Sequence, residues 1–158
     1  MLTVMILHMP SGLLIYLRMR VMAIDFGTKK IGLAFTDPTV SFVSRTMTLR
    51  VKSDKDAAQK AAEFVNSEEV HKIILGYPLN DDGTKSQMTE KVEDFRKRLA
   101  KLVEIEIEYS DERYTSEEAE KYLHQAGKSI KGNKDRIDSI SAALILNDYL
   151  QEQTGSTT

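Results

Sequence analysis

Acidic residues that are far apart in the sequence occur where predicted strands end and where the last predicted helix begins. Asp25 closes the first clear strand in "VMAIDFGTKKIGLAF", and Asp111 and Glu112 close a later strand in "EIEYSDER". Asp138 lies near the start of the last helix, with Asp135 three residues before it. Because functional sites in alternating α/β sheets form at the carboxyl ends of the strands, we expect these carboxylates to meet.

Gathered carboxylates repel one another and need a positively charged partner. Mg²⁺ and Mn²⁺ are suitable partners because hard cations prefer oxygen ligands. Two such ions about 4 Å apart can stabilise the attacking and leaving oxygens of a phosphodiester. Each acid also has a structural interpretation, as the cap of a turn, as a solvated residue or as half of an ion pair. The three positions together favour a metal site more than any one of them does.

Basic residues cluster near the predicted carboxylate site. Four cations and one carboxylate lie between Gly127 and Arg136. Cations that flank metal-bound acids suit a polyanionic substrate, since phosphate contacts position a nucleic acid. The residues that we predict to bind nucleic acid are Lys29, Lys30, Arg113, Lys128, Lys131, Lys134 and Arg136. A solvated surface loop is the alternative for the segment 127–136.

Two glycines follow the first acid. We expect Gly27 and Gly32 to let the chain turn tightly between two strands and to let a phosphate approach. The later stretch "GYPLNDDGTKS" is a strand end followed by a polar, turn-rich loop. We expect this loop to face the substrate.

The elements that must position these residues follow from hydrophobic periodicity. Strands are predicted at 20–25, 31–36, 42–50 and 104–110 and in "KIILGYP", with helices between the later strands. A capping box of Ser53 and Asp56 begins the first helix. The last predicted helix is strongly apolar and carries Ile137, Ile140, Ala143, Leu144 and Leu150. Three consecutive strands followed by alternating helices and strands indicate an α/β fold, a mixed five-stranded sheet with helices on both faces.

The composition is that of one globular domain. The chain has 158 residues, a formal net charge of −2 and no cysteine, so disulfides and thiolate metal sites are excluded. We expect an N-terminal extension at 1–19 that is not part of the core, a single nuclease-type domain at 20–152 and a flexible tail at 153–158. The apolar N-terminus contains Pro10 and Gly12 and has no basic start, so we expect neither a signal peptide nor a stable membrane association.

Four blocks of the sequence resemble the YqgF/RuvX family. They are "AIDFGTKKIGLAFTD", "IILGYPLNDDGTKS", "YSDERYTSEEAE" and "KDRIDSISAALIL", and the resemblance runs from about Arg20 to Leu150. Members of this family are described provisionally as pre-16S rRNA nucleases and as resembling Holliday-junction resolvases. The resemblance implies an RNase H-like fold.

The resemblance also implies roles for individual residues. The three acids of the family's site correspond to Asp25, Glu112 and Asp138, which would be catalytic and would bind Mg²⁺ or Mn²⁺. Asp111 and Asp135 are additional candidate ligands. The implied activity is metal-dependent hydrolysis of structured nucleic acid during maturation of the 5′ end of pre-16S rRNA in the cytoplasm, with pre-ribosomal particles as partners and a monomer or homodimer as the assembly.

Three alternatives stay open at the level of sequence. The same chemistry could cut branched DNA, which would require a dimer to cut two strands symmetrically. "DFGTKKIG" also resembles the first phosphate loop of actin- and hexokinase-like proteins, although those need two lobes around a nucleotide. A nucleic-acid-binding module with the same fold and no catalysis is the third.

Overall fold

Strands and helices form close to the positions predicted from the sequence. The computed structural model describes residues 6–8, 14–16, 19–111, 121, 124 and 134–155. The elements, in chain order, are β1 (Ile6–His8), β2 (Leu14–Tyr16), β3 (Arg20–Phe26), β4 (Lys30–Thr36), β5 (Val43–Arg50), α1 (Asp54–Ser67), β6 (Val70–Tyr77), α2 (Gln87–Ala100), β7 (Glu106–Asp111) and α3 (Lys134–Gly155). Among these described elements, no helix is long and apolar enough to cross a membrane.

The main sheet is mixed and has five strands in the order β5-β4-β3-β6-β7. β4 pairs antiparallel with both β3 and β5, whereas β6 pairs parallel with both β3 and β7. This confirms the predicted sheet. β1 and β2 form a separate two-stranded sheet, and the predicted division of the chain at residues 19 and 152 stays a prediction.

The two faces of the sheet are covered by different helices. Alternate residues of the strands, such as Met22 and Ile24, join α1 and α2 in the larger apolar cluster. The intervening residues, such as Val21 and Ala23, pack against Ala142, Ile145 and Leu146 of α3. The prediction of helices on both faces is therefore confirmed, and the side on which a strand residue projects follows from its position in the alternation.

The backbone of α3 approaches the sheet very closely at Gly32. A Cβ atom on Gly32 would lie 2.0 Å from the carbonyl oxygen of Asp138 and 3.1 Å from the amide nitrogen of Ser139. Gly32 therefore makes room for the helix backbone, and the expectation that it serves a turn and admits a phosphate was wrong. Gly27 does serve the turn, since its Cβ would lie 2.6 Å from the carbonyl oxygen of Lys30.

The buried residues of α3 are Ser141, Ala142, Ile145 and Leu146. The other apolar residues of the helix, Ile137, Ile140, Ala143, Leu144 and Leu150, are half-buried. The helix also continues to Gly155, beyond the predicted start of the tail.

Helix caps explain where α1 and α2 begin. The Ser53 hydroxyl accepts a hydrogen bond from the Asp56 amide at 3.1 Å, but the Asp56 carboxylate accepts from the Lys52 amide at 2.8 Å. The predicted capping box is thus half formed. A reciprocal box between Ser86 and Thr89 begins α2, and we did not predict it because threonine is an uncommon partner in that motif.

A tight loop between β4 and β5 holds the edge strand in place. The buried carboxylate of Asp37 accepts hydrogen bonds from the amides of Thr39, Ser41 and Phe42 at 2.7–3.0 Å and from the Thr39 hydroxyl. Burial raises the pKa of Asp37, but the hydrogen bonds from Thr39, Phe42 and Ser41 outweigh it and lower the pKa from 3.8 to about 2.

We predict that Gly32→Ala destabilises the protein by at least about 2 kcal/mol, because the new methyl group meets helix backbone that has no rotamer to change. Urea unfolding measures the loss. Gly155→Ala is the matched control, since a Cβ at Gly155 has no heavy atom within 4 Å, and it should change stability by less than about 0.5 kcal/mol. Equal effects of the two substitutions would contradict the close approach.

Asp37 should make stability depend on pH. Its folded pKa lies below its unfolded pKa, so the stabilisation is present above pH 4 and disappears as the pH falls from about 4 to 2. Asp37→Asn should cost about 2 kcal/mol at pH 7 and much less near pH 2. Urea titrations of both proteins at several pH values test this, and a difference that is independent of pH would count against it.

Candidate functional site

Asp25 lies near the carboxyl end of β3 and projects to the α3 side of the sheet. It alternates with Val21 and Ala23, which pack against α3, and it pairs directly with Gly32 on β4. Its side chain is half-buried. Directly opposite residues of an antiparallel pair project to the same face with their Cα atoms about 5 Å apart. Asp25 is thus the neighbour of the point where α3 meets the sheet.

Asp138 is brought to the same place by α3. Its backbone contacts Gly32, one strand away from Asp25. Its side chain lies on the side of the helix that carries Ala142 and Ile145 four and seven residues later, and both of these are buried against the sheet. The structure therefore brings together two of the three predicted catalytic acids, from positions 113 residues apart in the sequence.

The positions beside Asp25 in the sheet carry no side chains. Gly32 is on one side, and on the other side Gly76 follows the Ile24–Leu75 pair of β3 and β6. Gly76 in turn pairs with Ser110 of β7. Within its own sheet, Asp25 therefore has no side chain directly beside it, while the backbone of α3 lies over Gly32.

The other predicted acids are placed differently. Asp111 is the last residue of β7 and pairs with Tyr77, so it follows Ile107 and Tyr109 onto the α1–α2 side, opposite to Asp25. Glu112 lies outside the described residues. Asp135 is within α3, but its side chain also lies outside what the structure describes. In the described part of the chain, no three acidic or histidine side chains are close enough to hold a metal ion together.

Some of the predicted cations lie within the described residues and others lie outside them. Lys29 is exposed in the turn between β3 and β4, Lys30 is half-buried at the start of β4, and Arg136 is exposed. Arg136 belongs to the first turn of α3, where its carbonyl oxygen accepts a hydrogen bond from the Ser139 hydroxyl at 3.0 Å. Arg113, Lys128 and Lys131 and the side chain of Lys134 lie outside the described residues.

Two residues of β5 also project to this face and were not predicted. Thr48 pairs with Gly32, and Arg50 pairs with Lys30. The signal was present in "RTMTLR", where polar residues alternate with Met47 and Leu49, which pack on the other face. The register between β4 and β5 could not be read from the sequence, because it depends on how the six-residue loop at Asp37 folds.

The loop after β6 is fixed against α2. The Tyr77 hydroxyl and the Lys85 ammonium both donate to the Glu93 carboxylate at 2.6 Å, and the Thr89 hydroxyl donates to the Pro78 carbonyl. The hydrogen bond to Glu93 raises the pKa of Tyr77, and the one from Lys85 lowers the pKa of Glu93. The expectation that this loop faces the substrate stays a prediction.

A cleft with a volume of about 340 Å³ lies between β7 and the second half of α3. The acidic residues among its lining are Asp111, Asp148, Glu152 and Glu108, which pairs with Lys72 at 2.6 Å. At this end of the strands, the described surface is therefore acidic on the β7 side and carries Lys30 and Arg50 on the β4–β5 side.

Comparison with known families gives this geometry a context. Residues 19–152 match the family model RuvX, described as Holliday junction resolvase. The chain belongs to the RuvX family. Membership confirms the resemblance seen in the sequence and makes the chain a member of a family of nucleases.

Relatives of the RuvX chain share most of its length. A protein of Chlorobium phaeobacteroides is 41% identical over 140 residues, which cover 87% of this chain and 94% of the relative. A protein of Ruminiclostridium cellulolyticum is 34% identical over 140 residues, with 87% and 98% covered. Both relatives are provisionally named pre-16S rRNA nucleases.

Two solved structures share the fold of the RuvX chain. Thermus thermophilus RuvC in complex with a Holliday junction substrate has a TM-score of 0.58 and 12% identity, covering 86% of this chain and 97% of that one. The Fowlpox virus resolvase in complex with Holliday junction DNA has a TM-score of 0.57 and 12% identity, with 85% and 98% covered. These likenesses confirm the predicted RNase H-like fold.

Proposed function

We propose that this chain is a divalent-metal-dependent nuclease that acts on structured RNA, in the maturation of the 5′ end of pre-16S rRNA. The observation that carries the proposal is the contact of Asp138 with Gly32, directly opposite Asp25. Asp25 and Asp138 lie on the α3 face of the sheet, near the carboxyl end of β3, and Lys30 projects to the same face. This arrangement suits a site for a metal ion and a phosphodiester.

The residues fit Mg²⁺ or Mn²⁺. Asp25 and Asp138 supply oxygen ligands, which hard cations prefer. Glu112 is proposed as the third ligand and catalytic residue, with Asp111 and Asp135 as weaker candidates. When bound, the metal would activate water and offset charge on the leaving oxygen. The chain's own residues hold the carboxylates in register and provide cations for the phosphate backbone.

The choice of substrate rests on the relatives. Their names refer to pre-16S rRNA, so we propose pre-ribosomal particles as partners, the cytoplasm as location and a monomer or homodimer as the assembly. We propose no stable membrane association. Branched DNA is the second candidate, because the family description and both solved neighbours refer to Holliday junctions. A module that binds nucleic acid without cutting it is the third.

Nuclease assays with both substrates side by side test the proposal. The purified protein should cut the 5′ leader of pre-16S rRNA in the presence of Mg²⁺ or Mn²⁺ and leave a four-way DNA junction largely intact. Asp25→Asn and Asp138→Asn should each reduce cleavage by roughly 100-fold or more, because a lost ligand removes several kcal/mol of charge stabilisation.

Asp94→Asn is the matched control, since Asp94 is exposed on α2, on the opposite side of the sheet, and should cut like the wild type. Full activity of Asp25→Asn would contradict the assigned site. Preferential cutting of the junction would favour the second candidate, and binding without cleavage in any divalent metal would favour the third.

A further inference from the structure

Two cations are neighbours on adjacent strands of the sheet. Lys30 of β4 and Arg50 of β5 are direct partners in the antiparallel register. Both project to the α3 side, because Gly32 and Thr48, two residues along each strand, form the pair next to the α3 contact. Arg50 is exposed and Lys30 is half-buried.

Like charges directly opposite each other in an antiparallel pair reduce stability. Met47 and Leu49 supply the apolar contacts of β5 on the other face. A pair of cations is, however, well suited to bind an anion between them. Arginine in particular presents a planar set of donors that matches two oxygens of a phosphate.

The backbone that carries Arg50 is held in place on both sides. The Arg50 carbonyl oxygen accepts a hydrogen bond from the Lys60 ammonium at 2.8 Å. The next amide, that of Val51, donates to the Lys29 carbonyl oxygen at 2.9 Å. The first bond connects the end of β5 to α1, and the second connects it to the turn that follows Asp25. The base of the Arg50 side chain is thus fixed relative to the candidate site.

The distance between Arg50 and Asp25 suits a contact with a neighbouring phosphate better than a contact with the phosphate that is cut. β5 is two strand spacings from β3, about 10 Å, and Arg50 is two residues further along than the position level with Asp25. On the other side of α3, the cleft is lined by Asp148, Glu152 and Glu108. Lys72 pairs with Glu108 at 2.6 Å, so the described charge there stays negative and is less favourable to a polyanion than Lys30 and Arg50. Among the described residues, the favourable approach to Asp25 is therefore over β4 and β5.

We propose that Arg50, together with Lys30, binds a backbone phosphate of the substrate strand next to the phosphodiester that is cut. This inference rests on the proposed function, and it makes Arg50 a positioning residue. Such a contact orients the strand without reading its sequence, so its loss should weaken binding to all sequences alike.

The strand itself offers a matched control. Arg45 lies on β5 five residues earlier and projects to the opposite face, where it pairs with Glu68 at 2.8 Å and lies over the ring of Phe35. Arg45→Ala removes the same charge from the same strand without touching the α3 face. Thermal unfolding of both variants shows whether each is folded.

Binding of a labelled 5′-leader RNA is measured as a function of salt, with every variant made in the Asp25→Asn background so that the RNA stays intact. Arg50→Ala should weaken binding about 3- to 10-fold and lower the salt slope by about 0.7 to 0.9, the value for one lost phosphate contact. Arg45→Ala should leave the slope unchanged. Arg50→Lys should restore the slope but not the full affinity, because lysine keeps the charge and loses the paired donors.

In the background with Asp25 intact, Arg50→Ala should raise KM and change kcat little. An unchanged slope in Arg50→Ala, or an equal change in Arg45→Ala, would overturn the inference. If no substrate is cut but the slope changes in Arg50→Ala alone, the phosphate contact stands and the proposed nuclease function fails. If cleavage depends on Asp25 and Arg50→Ala behaves as wild type, the function stands and the inference fails.

Discussion

The absence of a side chain at Gly32 is the constraint on which the site depends. The carbonyl oxygen of Asp138 occupies the place that a Cβ atom would take, so α3 can lie directly on β4 only if this residue is glycine. Because Gly32 is opposite Asp25, the same contact places Asp138 beside Asp25. One backbone approach thus determines both how the last helix packs and where two distant carboxylates meet.

The charged residues differ between the two sides of the candidate site. The α3 side of β4 and β5 carries Lys30 and Arg50, while the cleft at β7 carries several carboxylates. Among the described residues, two cations thus lie on one side of Asp25, and more carboxylates than cations lie on the other, where Lys72 pairs with Glu108. The net charge of −2 conceals this separation, because what matters to an approaching phosphate backbone is the local arrangement of charge rather than its sum.

Much of the fold was predictable because strand alternation and helical periodicity are local properties of the sequence. Asp25 and Asp138 were predicted from where elements end. The approach of α3 to Gly32 places the backbone of Asp138 next to the strand that carries Asp25, and a metal ion shared by the two carboxylates stays a prediction. The purpose of Gly32 was not predictable, since it depends on a helix that follows more than a hundred residues later. Arg50 was missed for a similar reason: its face is visible in the alternation of "RTMTLR", but its neighbour Lys30 is defined only by the register that the Asp37 loop imposes.

The most direct test of a shared metal site is a crystal structure of the protein with Mn²⁺, located by its anomalous scattering. The account predicts an ion bound by carboxylate oxygens of both Asp25 and Asp138, on the α3 side of the sheet. Mn²⁺ found only in the acidic cleft near Asp148 and Glu152, with neither Asp25 nor Asp138 as a ligand, would contradict it.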